Sequence, residues 1–452
     1  MASGTMASGT IAVDMELSQE FDGGASGDPA LPPREGGPVG NSRRRVATAL
    51  GAAFLLAPAL LGVMGATAAS AAASPITVGF ISDLTGVAAS TFADSAGGIQ
   101  ARFDLQNAHG GVNGHKLKLV VEDDQSSPTA YLTAAQDLVE NKHAQVIVSD
   151  SSFTYGGARY LNQQGIPVTG AGFDGTEWTT YSNMFSWLPL EDSPINGIYY
   201  SDQGNGLLLK NIGVTKMAGL GYGIGFSSPE SIRATFAGGA PLGVQNCYAN
   251  YSVPFGGVDF TADVLQIKNA GCNGVVGSFV DTSDVALSQA VKNAGLNVKQ
   301  LYFTAYDQSV LDSASAKTAL EGDYFRAQIN YTTPNAATRG MLATLRKYDK
   351  TYKGGIPDFG LQVAYLGAAL TIQGLKATGK DLSPQGIISH MRKIKGFNGG
   401  GILPSATPMT GFGTPNIVPK KVCNYFMQLQ NGQFHVVGGK AICGKRIIAP
   451  TA

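Results

Sequence analysis

The amino-acid sequence predicts an α/β protein with two lobes, each built on a doubly wound parallel sheet. Three observations favour this fold class. Strand and helix patterns alternate from Pro75 onward, the alternation starts a second time near Ile195, and 452 residues are enough for two hydrophobic cores. Strands that are connected through single helices form right-handed crossovers and therefore run parallel.

The first series of elements lies between residues 76 and 169. Short apolar segments rich in β-branched residues predict its strands, and apolar residues at helical spacing predict its helices. The predicted strands are residues 76–81, 117–121, 146–148 and 166–169, and the predicted helices are residues 96–108, the segment that follows Pro128, and residues 158–163.

The second series repeats this pattern and continues into additional elements. Its predicted strands are residues 217–220, 244–248, 274–279 and 300–303, and its predicted helices are residues 195–209, 231–237, 260–269 and 285–294. Further helices are predicted at residues 338–352, 359–377 and 384–393. Asn431-Gly432 separates two alternating segments, 422–429 and 434–437, and predicts a β-hairpin.

The N-terminal part predicts export. Residues 1–42 are expected to form a disordered extension. Three arginines at 43–45 precede an apolar stretch at 46–63 and small residues at 66–73, which are the three parts of a secretory signal peptide at residues 43–73. A transmembrane anchor is the alternative. No cysteine lies near the cleavage region, so we expect an exported, extracytoplasmic protein without a lipid anchor on its own cysteine.

The composition disfavours several classes of function. Lys plus Arg number 32 and Asp plus Glu number 32, so no basic surplus exists for binding nucleic acid. The five histidines are scattered and there is no Cys-x-x-Cys, which disfavours a zinc site. The glycine-rich segment that starts at Gly219 lacks the spacing of a dinucleotide-binding motif. We therefore expect no cofactor and no enzymatic activity.

The four cysteines all lie in the part predicted to be exported. They allow three sets of pairings. We favour Cys247–Cys272 and Cys423–Cys443, because the members of each pair lie near the ends of adjacent elements and an oxidising compartment permits both bonds. Four buried thiols are the alternative.

Two loops at predicted strand ends form a candidate binding site. Ser151 and Ser152 connect a strand to a helix, and Gly170-Ala-Gly-Phe-Asp follows the next strand. In open α/β sheets, ligands bind beyond the carboxyl ends of the strands. Backbone N–H groups and a hydroxyl at a helix N-terminus can hold an anion there. The two serines as simple helix caps are the alternative, and the two roles are compatible.

At these residues the chain resembles the type I periplasmic binding proteins, in the leucine/isoleucine/valine-binding branch that serves ABC transporters. The resemblance extends from Ile76 to about Cys443. It includes the opening segment Ile76-Thr-Val-Gly-Phe-Ile-Ser-Asp-Leu-Thr-Gly, the block Asn107-Ala-His-Gly-Gly-Val-Asn-Gly-His-Lys-Leu and the segment Val121-Glu-Asp-Asp-Gln-Ser-Ser-Pro. The order and spacing of the segments carry the resemblance, since no single segment is decisive.

The resemblance implies two Rossmann-like lobes that are joined by a three-strand hinge and close around a ligand. Lobe 1 is expected at residues 74–193 and 326–400, and lobe 2 at residues 194–325 and 401–452. The implied partners are a small-molecule ligand and the membrane permease of an ABC transporter. We expect a monomer that does not bind nucleic acid.

The resemblance also implies a set of ligand-binding residues. It places the carboxylate of an amino acid on Ser152 and on the loop that contains Ala171 and Phe173. It places an aromatic residue of the second lobe at Phe226 and the partner of the ligand ammonium near Tyr306. The complete set of candidates is Phe92, Ser151, Ser152, Ala171, Gly172, Phe173, Phe226, Tyr306 and Asp307.

Two departures from the family pattern change the expected ligand. Phe173 replaces an expected Thr, and Tyr306 replaces the Glu that would pair with the ligand ammonium. Burying an ammonium without a carboxylate is costly, so we expect an aromatic or aliphatic carboxylic acid rather than a standard amino acid. Asp307 would restore the acid if the alignment shifts by one residue.

The predicted function is therefore that of an extracytoplasmic solute-binding protein of an ABC importer. A ligand-sensing domain that signals to a receptor partner is one alternative. An α/β enzyme whose active-site residues are distant in sequence is another.

Overall fold

The computed structural model describes residues 73–450, except for residue 174 and residues 191–197. The predicted extension at 1–42 and, apart from Ala73, the predicted signal peptide at 43–73 lie outside the described residues. Within the described ranges, no helix combines the length and the apolar character that crossing a membrane requires.

The first sheet consists of five parallel strands. They are β1 (Ala73–Ser82), β2 (His115–Asp123), β3 (Val146–Asp150), β4 (Val168–Gly170) and β5 (Met184–Ser186). Their order across the sheet is β2-β1-β3-β4-β5. The helices between them are α1 (Ala89–Phe92), α2 (Ser95–Ala108), α3 (Pro128–Gln136), α4 (Tyr155–Gln163) and α5 (Glu177–Thr180), and a π-helical turn, Asp137–Asn141, extends α3. Val78, Phe80 and Ile81 on β1 are fully buried, as expected for a parallel sheet covered on both faces.

The second sheet is larger and mixed. Its strands are β6 (Ile198–Asp202), β7 (Lys216–Tyr222), β8 (Gln245–Val253), β9 (Gly274–Ser278), β10 (Lys299–Tyr302), β11 (Tyr324–Ala327), β12 (Lys421–Gln430), β13 (Gln433–Val436) and β14 (Ile442–Pro450). Their order is β6-β14-β12-β11-β10-β9-β7-β8, and β13 pairs with β12. The part from β8 to β11 is parallel, whereas β12, β13, β14 and β6 pair in antiparallel fashion.

Nine further helices complete the described part of the chain. They are α6 (Gly204–Asn211), α7 (Ser227–Gly239), α8 (Thr261–Asn269), α9 (Asp281–Asn293), α10 (Gln308–Asp312), α11 (Ala314–Leu320), α12 (Ala336–Tyr348), α13 (Phe359–Thr378) and α14 (Pro384–Met391). Short 3-10 helices are Ala240–Leu242, Pro415–Ile417 and Val437–Gly439.

The chain passes between the two sheets three times. It leaves the first sheet after β5, returns after β11 so that α13 packs against β3 and β4, and enters the second sheet again at β12. Ile417 and Val418, which precede β12, pack in the same buried cluster as Trp178 of the first-sheet side. The exact limits of the two lobes stay a prediction.

One predicted helix is wrong. Residues 195–209 were expected to form a single helix, but Ile198–Asp202 is strand β6 and the helix α6 starts only at Gly204. The cause is long-range pairing, because β6 runs antiparallel to β14 at the other end of the chain. Three strands, β5, β11 and β14, were not predicted at all.

Both favoured disulfides are present in the structure. Cys247 on β8 is bonded to Cys272, which follows α8. Cys423 and Cys443 lie directly opposite each other on the paired strands β12 and β14 and are bonded as well. The two bonds therefore fix the outer strand of the second sheet and its C-terminal strand pair.

The helices α2 and α13 cross at very short distance, and this crossing positions one wall of the site described below. A Cβ atom at Gly98 on α2 would collide with the carbonyl oxygen of Leu361 on α13. A Cβ atom at Gly360 would lie 2.7 Å from the Cα of Phe92. Glycine at both positions therefore lets the start of α13 approach α1 and α2.

We expect Gly98→Ala to lower the free energy of unfolding by about 1–3 kcal/mol, because the added methyl group overpacks a backbone contact. Gly340→Ala is the matched control, since Gly340 is an exposed glycine inside α12 and a Cβ atom added there would meet no neighbouring atom within 4 Å. The control should raise the free energy of unfolding by about 0.5–1 kcal/mol. Urea unfolding measures both changes, and equal effects of the two substitutions would contradict the close crossing.

Candidate ligand-binding site

A cavity of about 110 Å³ lies between the first-sheet side and the second-sheet side of the molecule. This volume is several times the roughly 10–15 Å³ that one water needs on a comparable measure. The residues that line it are Thr91, Phe92, Ser152, Phe153, Phe173, Leu188, Tyr222, Ile224, Gly225, Ser227, Ser228, Ser231, Phe255, Ser278, Phe279, Val280, Phe303, Thr304, Arg326, Gln328 and Phe359.

Three phenylalanines form the wall on the first-sheet side. Phe92 ends α1, Phe173 follows β4 and Phe359 begins α13. The rings of Phe92 and Phe173 are stacked with centroids 5.9 Å apart, and Phe359 meets Phe173 edge-on at 5.8 Å. Asp358 holds the start of α13, because its Oδ1 accepts a hydrogen bond from the N–H of Leu361 at 2.6 Å. The wall is therefore apolar, and its rings pack against one another.

Aromatic residues also form the wall on the second-sheet side. The ring of Tyr222 meets Phe255 at 5.0 Å and Phe279 at 4.7 Å, both nearly edge-on. The Tyr222 hydroxyl donates to Ser283 Oγ at 2.7 Å, which satisfies this buried polar group away from the cavity. Each of these aromatic residues lies at or directly beyond the carboxyl end of a parallel strand or in the loop after it.

The two sides touch each other beside the cavity. The Thr91 hydroxyl donates to Asp281 Oδ1 at 3.0 Å, and the Asp281 N–H donates to the same hydroxyl at 3.1 Å. The rings of Phe153 and Phe255 meet edge-on at 5.4 Å. Thr91 and Phe153 belong to the first-sheet side, whereas Asp281 and Phe255 belong to the second. The two sides are therefore in contact beside the cavity.

A buried cation lies in the cavity wall. Arg326 on β11 is only 6% exposed, and burial lowers its pKa to about 10, so the guanidinium stays charged at neutral pH. When the Asn424 carboxamide is oriented with its oxygen toward the guanidinium, Oδ1 accepts from Nη2 at 3.1 Å and from Nε at 3.3 Å. The guanidinium also lies 5.9 Å from the ring centroid of Phe303. A positive charge is therefore held in place beside aromatic rings.

The loop after β3 does not offer the free amide groups that the sequence suggested. Ser152 lines the cavity, but its N–H donates to Asp83 Oδ2 at 2.7 Å. The N–H of Phe153 donates to Ser151 Oγ at 2.9 Å, and the Ser151 hydroxyl itself donates to Asp124. Burial, and after it the charge of Asp124, raises the pKa of Asp83 well above its ordinary value. This loop is therefore an unfavourable place for an anion.

The loop after β4 is similar. The N–H of Gly172 donates to Ser186 Oγ at 2.7 Å, and the N–H of Phe173 donates to the Ala171 carbonyl at 3.0 Å. Ala171 is 2% exposed and is not among the residues that line the cavity. Of the predicted residues in these two loops, Ser152 and Phe173 reach the cavity, and Ser151, Ala171 and Gly172 lie behind it.

The predicted second-lobe residues also lie outside the cavity. Phe226 precedes α7 with 51% of its surface exposed, while its neighbours Gly225 and Ser227 line the cavity. Adjacent side chains in this turn point in different directions, so an error of one position in the alignment exchanges a cavity residue for a surface residue. Phe92, by contrast, lines the cavity. Whether any of these residues contacts a ligand stays a prediction.

Tyr306 and Asp307 lie behind the residues that line the cavity. The Tyr306 hydroxyl donates to Oε1 of Gln328, which lines the cavity, at 3.2 Å, and accepts from Gln362 Nε2 at 2.8 Å. Asp307 caps α10, since its Oδ1 accepts from the N–H of Ser309 at 2.7 Å. Neither residue is placed to meet a ligand ammonium directly.

Several cavity residues were missed from the sequence. Arg326 lies on β11, a short strand that local pattern did not reveal. A usable signal did exist for Phe279 and Phe303, because each is the last residue of a strand predicted from sequence and thus falls at the carboxyl edge where ligands bind. Phe359 carried a weaker signal as the first residue of a predicted helix.

Comparison with known proteins decides the family. The family described as periplasmic binding protein matches residues 75–433. This chain belongs to the periplasmic binding protein family. The predicted type I fold and its branched-chain amino acid branch are confirmed. Proteins of this family bind solutes outside the cytoplasm, so the predicted ligand-binding role is confirmed at this level.

Individual relatives are distant. Leu/Ile/Val-binding protein homolog 8 of Brucella suis is 25% identical in an alignment of 407 positions that covers 85% of this chain and 95% of that protein. Among solved structures, an R. palustris solute-binding protein of an ABC transporter in complex with benzoate has a TM-score of 0.64 at 17% identity, over 82% of this chain and 97% of that one. A fatty acid ABC transporter substrate-binding protein from Thermomonospora curvata has a TM-score of 0.66 at 18% identity, over 83% and 92%. The structural likenesses show the fold.

The contact between the two sides of this periplasmic binding protein includes a titratable group. Asp281 is buried, and burial together with the charge of Asp307 raises its pKa from 3.8 to about 7. Since the folded-state pKa lies above the ordinary value, protonation of Asp281 favours the folded protein. Its contribution to stability is fully present below the ordinary pKa and is lost as the pH rises through about 7.

We expect Asp281→Asn to reduce the pH dependence of stability, because the carboxamide oxygen can still accept from Thr91 but does not titrate. Between about pH 5 and about pH 8, the wild-type protein should lose about 1–3 kcal/mol more unfolding free energy than the variant. Urea unfolding at both pH values measures the difference.

The control for this measurement is Asp259→Asn. Asp259 is exposed, and its hydrogen bonds to Thr261 lower its pKa below the ordinary value, so it does not titrate in this range. The control should follow the wild-type pH profile. An Asp281→Asn profile that also follows the wild type would show that the Asp281 carboxyl does not titrate in this environment.

Proposed function

We propose that this protein is the extracytoplasmic solute-binding protein of an ABC importer and that it captures an apolar carboxylic acid between its two lobes. The observation that carries the proposal is the cavity between the two sheets, whose walls are aromatic and which contains the buried guanidinium of Arg326. Ligand sites are typically apolar with a few polar groups that select the ligand. An aromatic or aliphatic body with one negative charge fits these walls.

The lining of the cavity favours a carboxylic acid over an amino acid. Within the described part of the chain, no aspartate or glutamate is among the residues that line the cavity. Asp281 is not a lining residue, and its Oδ1 accepts hydrogen bonds from the Thr91 hydroxyl and the Ala305 N–H. A ligand ammonium would lose its hydration without gaining a carboxylate partner, which is costly. Two proteins of similar structure, one in complex with benzoate and one from a fatty acid transporter, agree with this ligand class.

Capture would proceed by closure of the two lobes. The ligand first rests on one wall, and the second wall is added only when the lobes close, so ligand binding shifts the equilibrium toward the closed form. The contacts between Thr91 and Asp281 and between Phe153 and Phe255 then hold the closed form. In this proposal Phe92, Ser152 and Phe173 contact the ligand, and the ligand leaves chemically unaltered, so the protein is not an enzyme.

The remaining parts of the proposal concern location and partners. We propose that residues 43–73 direct export, that the protein acts as a monomer without a lipid anchor on its own cysteine, and that the closed form delivers the ligand to a membrane permease. The two disulfides fit an oxidising compartment.

The ligand class is tested with matched pairs of compounds that differ only in the amino group. The pairs are 3-phenylpropanoate with phenylalanine and 4-methylpentanoate with leucine. Isothermal titration should show that each acid binds about tenfold to a hundredfold more tightly than its amino acid, because the ammonium lacks a partner in the cavity. Tighter binding of leucine and phenylalanine would contradict the proposed ligand class and favour an amino-acid transporter component.

A further inference from the structure

We propose that Arg326 binds the carboxylate of the ligand, so that the acid group points toward β11 and the apolar body lies against Phe92, Phe173 and Phe359. This inference rests on the proposed function. It reverses the orientation that the family resemblance implies, in which the carboxylate is held by Ser152 and the adjacent loop of the first lobe.

The first argument is electrostatic. Arg326 is a charged group in a wall that otherwise consists largely of aromatic rings and hydroxyls. In such a poorly solvated place, attraction between a guanidinium and a carboxylate is much stronger than in water. Arginine also matches a carboxylate geometrically, since two of its N–H groups can donate in parallel to the two oxygens.

The second argument is that the guanidinium is held in position. The Asn424 carboxamide oxygen accepts from Nη2 and Nε of the guanidinium, and these two contacts fix the plane of the group. Asn424 is 3% exposed and follows Cys423, whose disulfide to Cys443 joins β12 to β14. Arg326 itself pairs with Phe426 in the β11–β12 ladder. A donor held by two strands and a covalent bond loses little entropy when it binds an anion.

The third argument concerns the alternative carboxylate site, whose backbone N–H groups already donate hydrogen bonds within the protein. The N–H groups of Ser152 and Phe153 donate to Asp83 and Ser151, and that of Gly172 donates to Ser186. An additional anion there would have to break these hydrogen bonds. Burial, and after it the charge of Asp124, raises the pKa of the neighbouring Asp83, so a further negative charge beside Asp83 would be unfavourable.

The orientation can be tested with one acid and its neutral isostere. 3-Phenylpropanoate and 3-phenylpropanamide are titrated into the wild-type protein, R326Q, R326K and S152A. We expect the wild-type protein to prefer the acid by about tenfold or more. R326Q should weaken acid binding by about a hundredfold and change amide binding by less than about threefold, so that the preference disappears. S152A should keep the preference for the acid.

The outcomes separate the inference from the proposed function. If the wild-type protein binds the acid and R326Q keeps the preference, or if S152A removes it, the assignment of Arg326 is overturned while the ligand class stands. If the wild-type protein does not bind the acid, the ligand class and the inference both fail. Thermal unfolding shows whether R326Q is folded. If R326Q is unfolded, R326K provides the test, because lysine cannot donate two parallel hydrogen bonds to a carboxylate. Acid binding that is weaker by about fivefold or more in R326K supports the assignment, and unchanged binding overturns it.

Discussion

The burial of the Arg326 guanidinium in an aromatic cavity is the constraint on which this account depends. Removing a charge from water is costly, and proteins offset that cost with hydrogen bonds and opposite charge. Asn424 supplies hydrogen bonds on one edge of the guanidinium. The surrounding strands hold the group at the cavity wall, where a small anion can approach it. The site therefore combines an apolar volume with a fixed positive charge, and an apolar acid is the class of ligand that satisfies both.

The division of the site between two sheets explains how such a cavity can both enclose a ligand and release it. The second-sheet wall lies at the carboxyl ends of parallel strands, the first-sheet wall combines the loop after β4 with the end of α1 and the start of α13, and within each wall the aromatic rings contact one another. The contacts that join the two walls include the hydrogen bonds between Thr91 and Asp281, the rings of Phe153 and Phe255, and the hydrogen bond from Gln362 to the Tyr306 hydroxyl. In the proposed hinge motion, a ligand held between the walls favours the form in which these contacts are made.

Most of the fold, but only part of the site, could be predicted from the sequence. Strand and helix periodicity located the strands of the first sheet except β5, because burial dictates the residue pattern there. It missed β6 and β14, whose pairing joins segments from distant parts of the chain. Ser152, Phe173 and Phe92, three of the residues expected to contact a ligand, line the cavity. Arg326 was missed because its role depends on the register of β11 against β12, which no local pattern encodes.

The most direct test is a crystal structure of the protein with bound 3-phenylpropanoate. The account predicts the carboxylate within hydrogen-bond distance, about 2.7–2.9 Å, of the Arg326 guanidinium, and the phenyl ring between the walls formed by Phe173 and Tyr222. A carboxylate that lies on Ser152 and the loop after β4, with Arg326 turned away from the ligand, would contradict it.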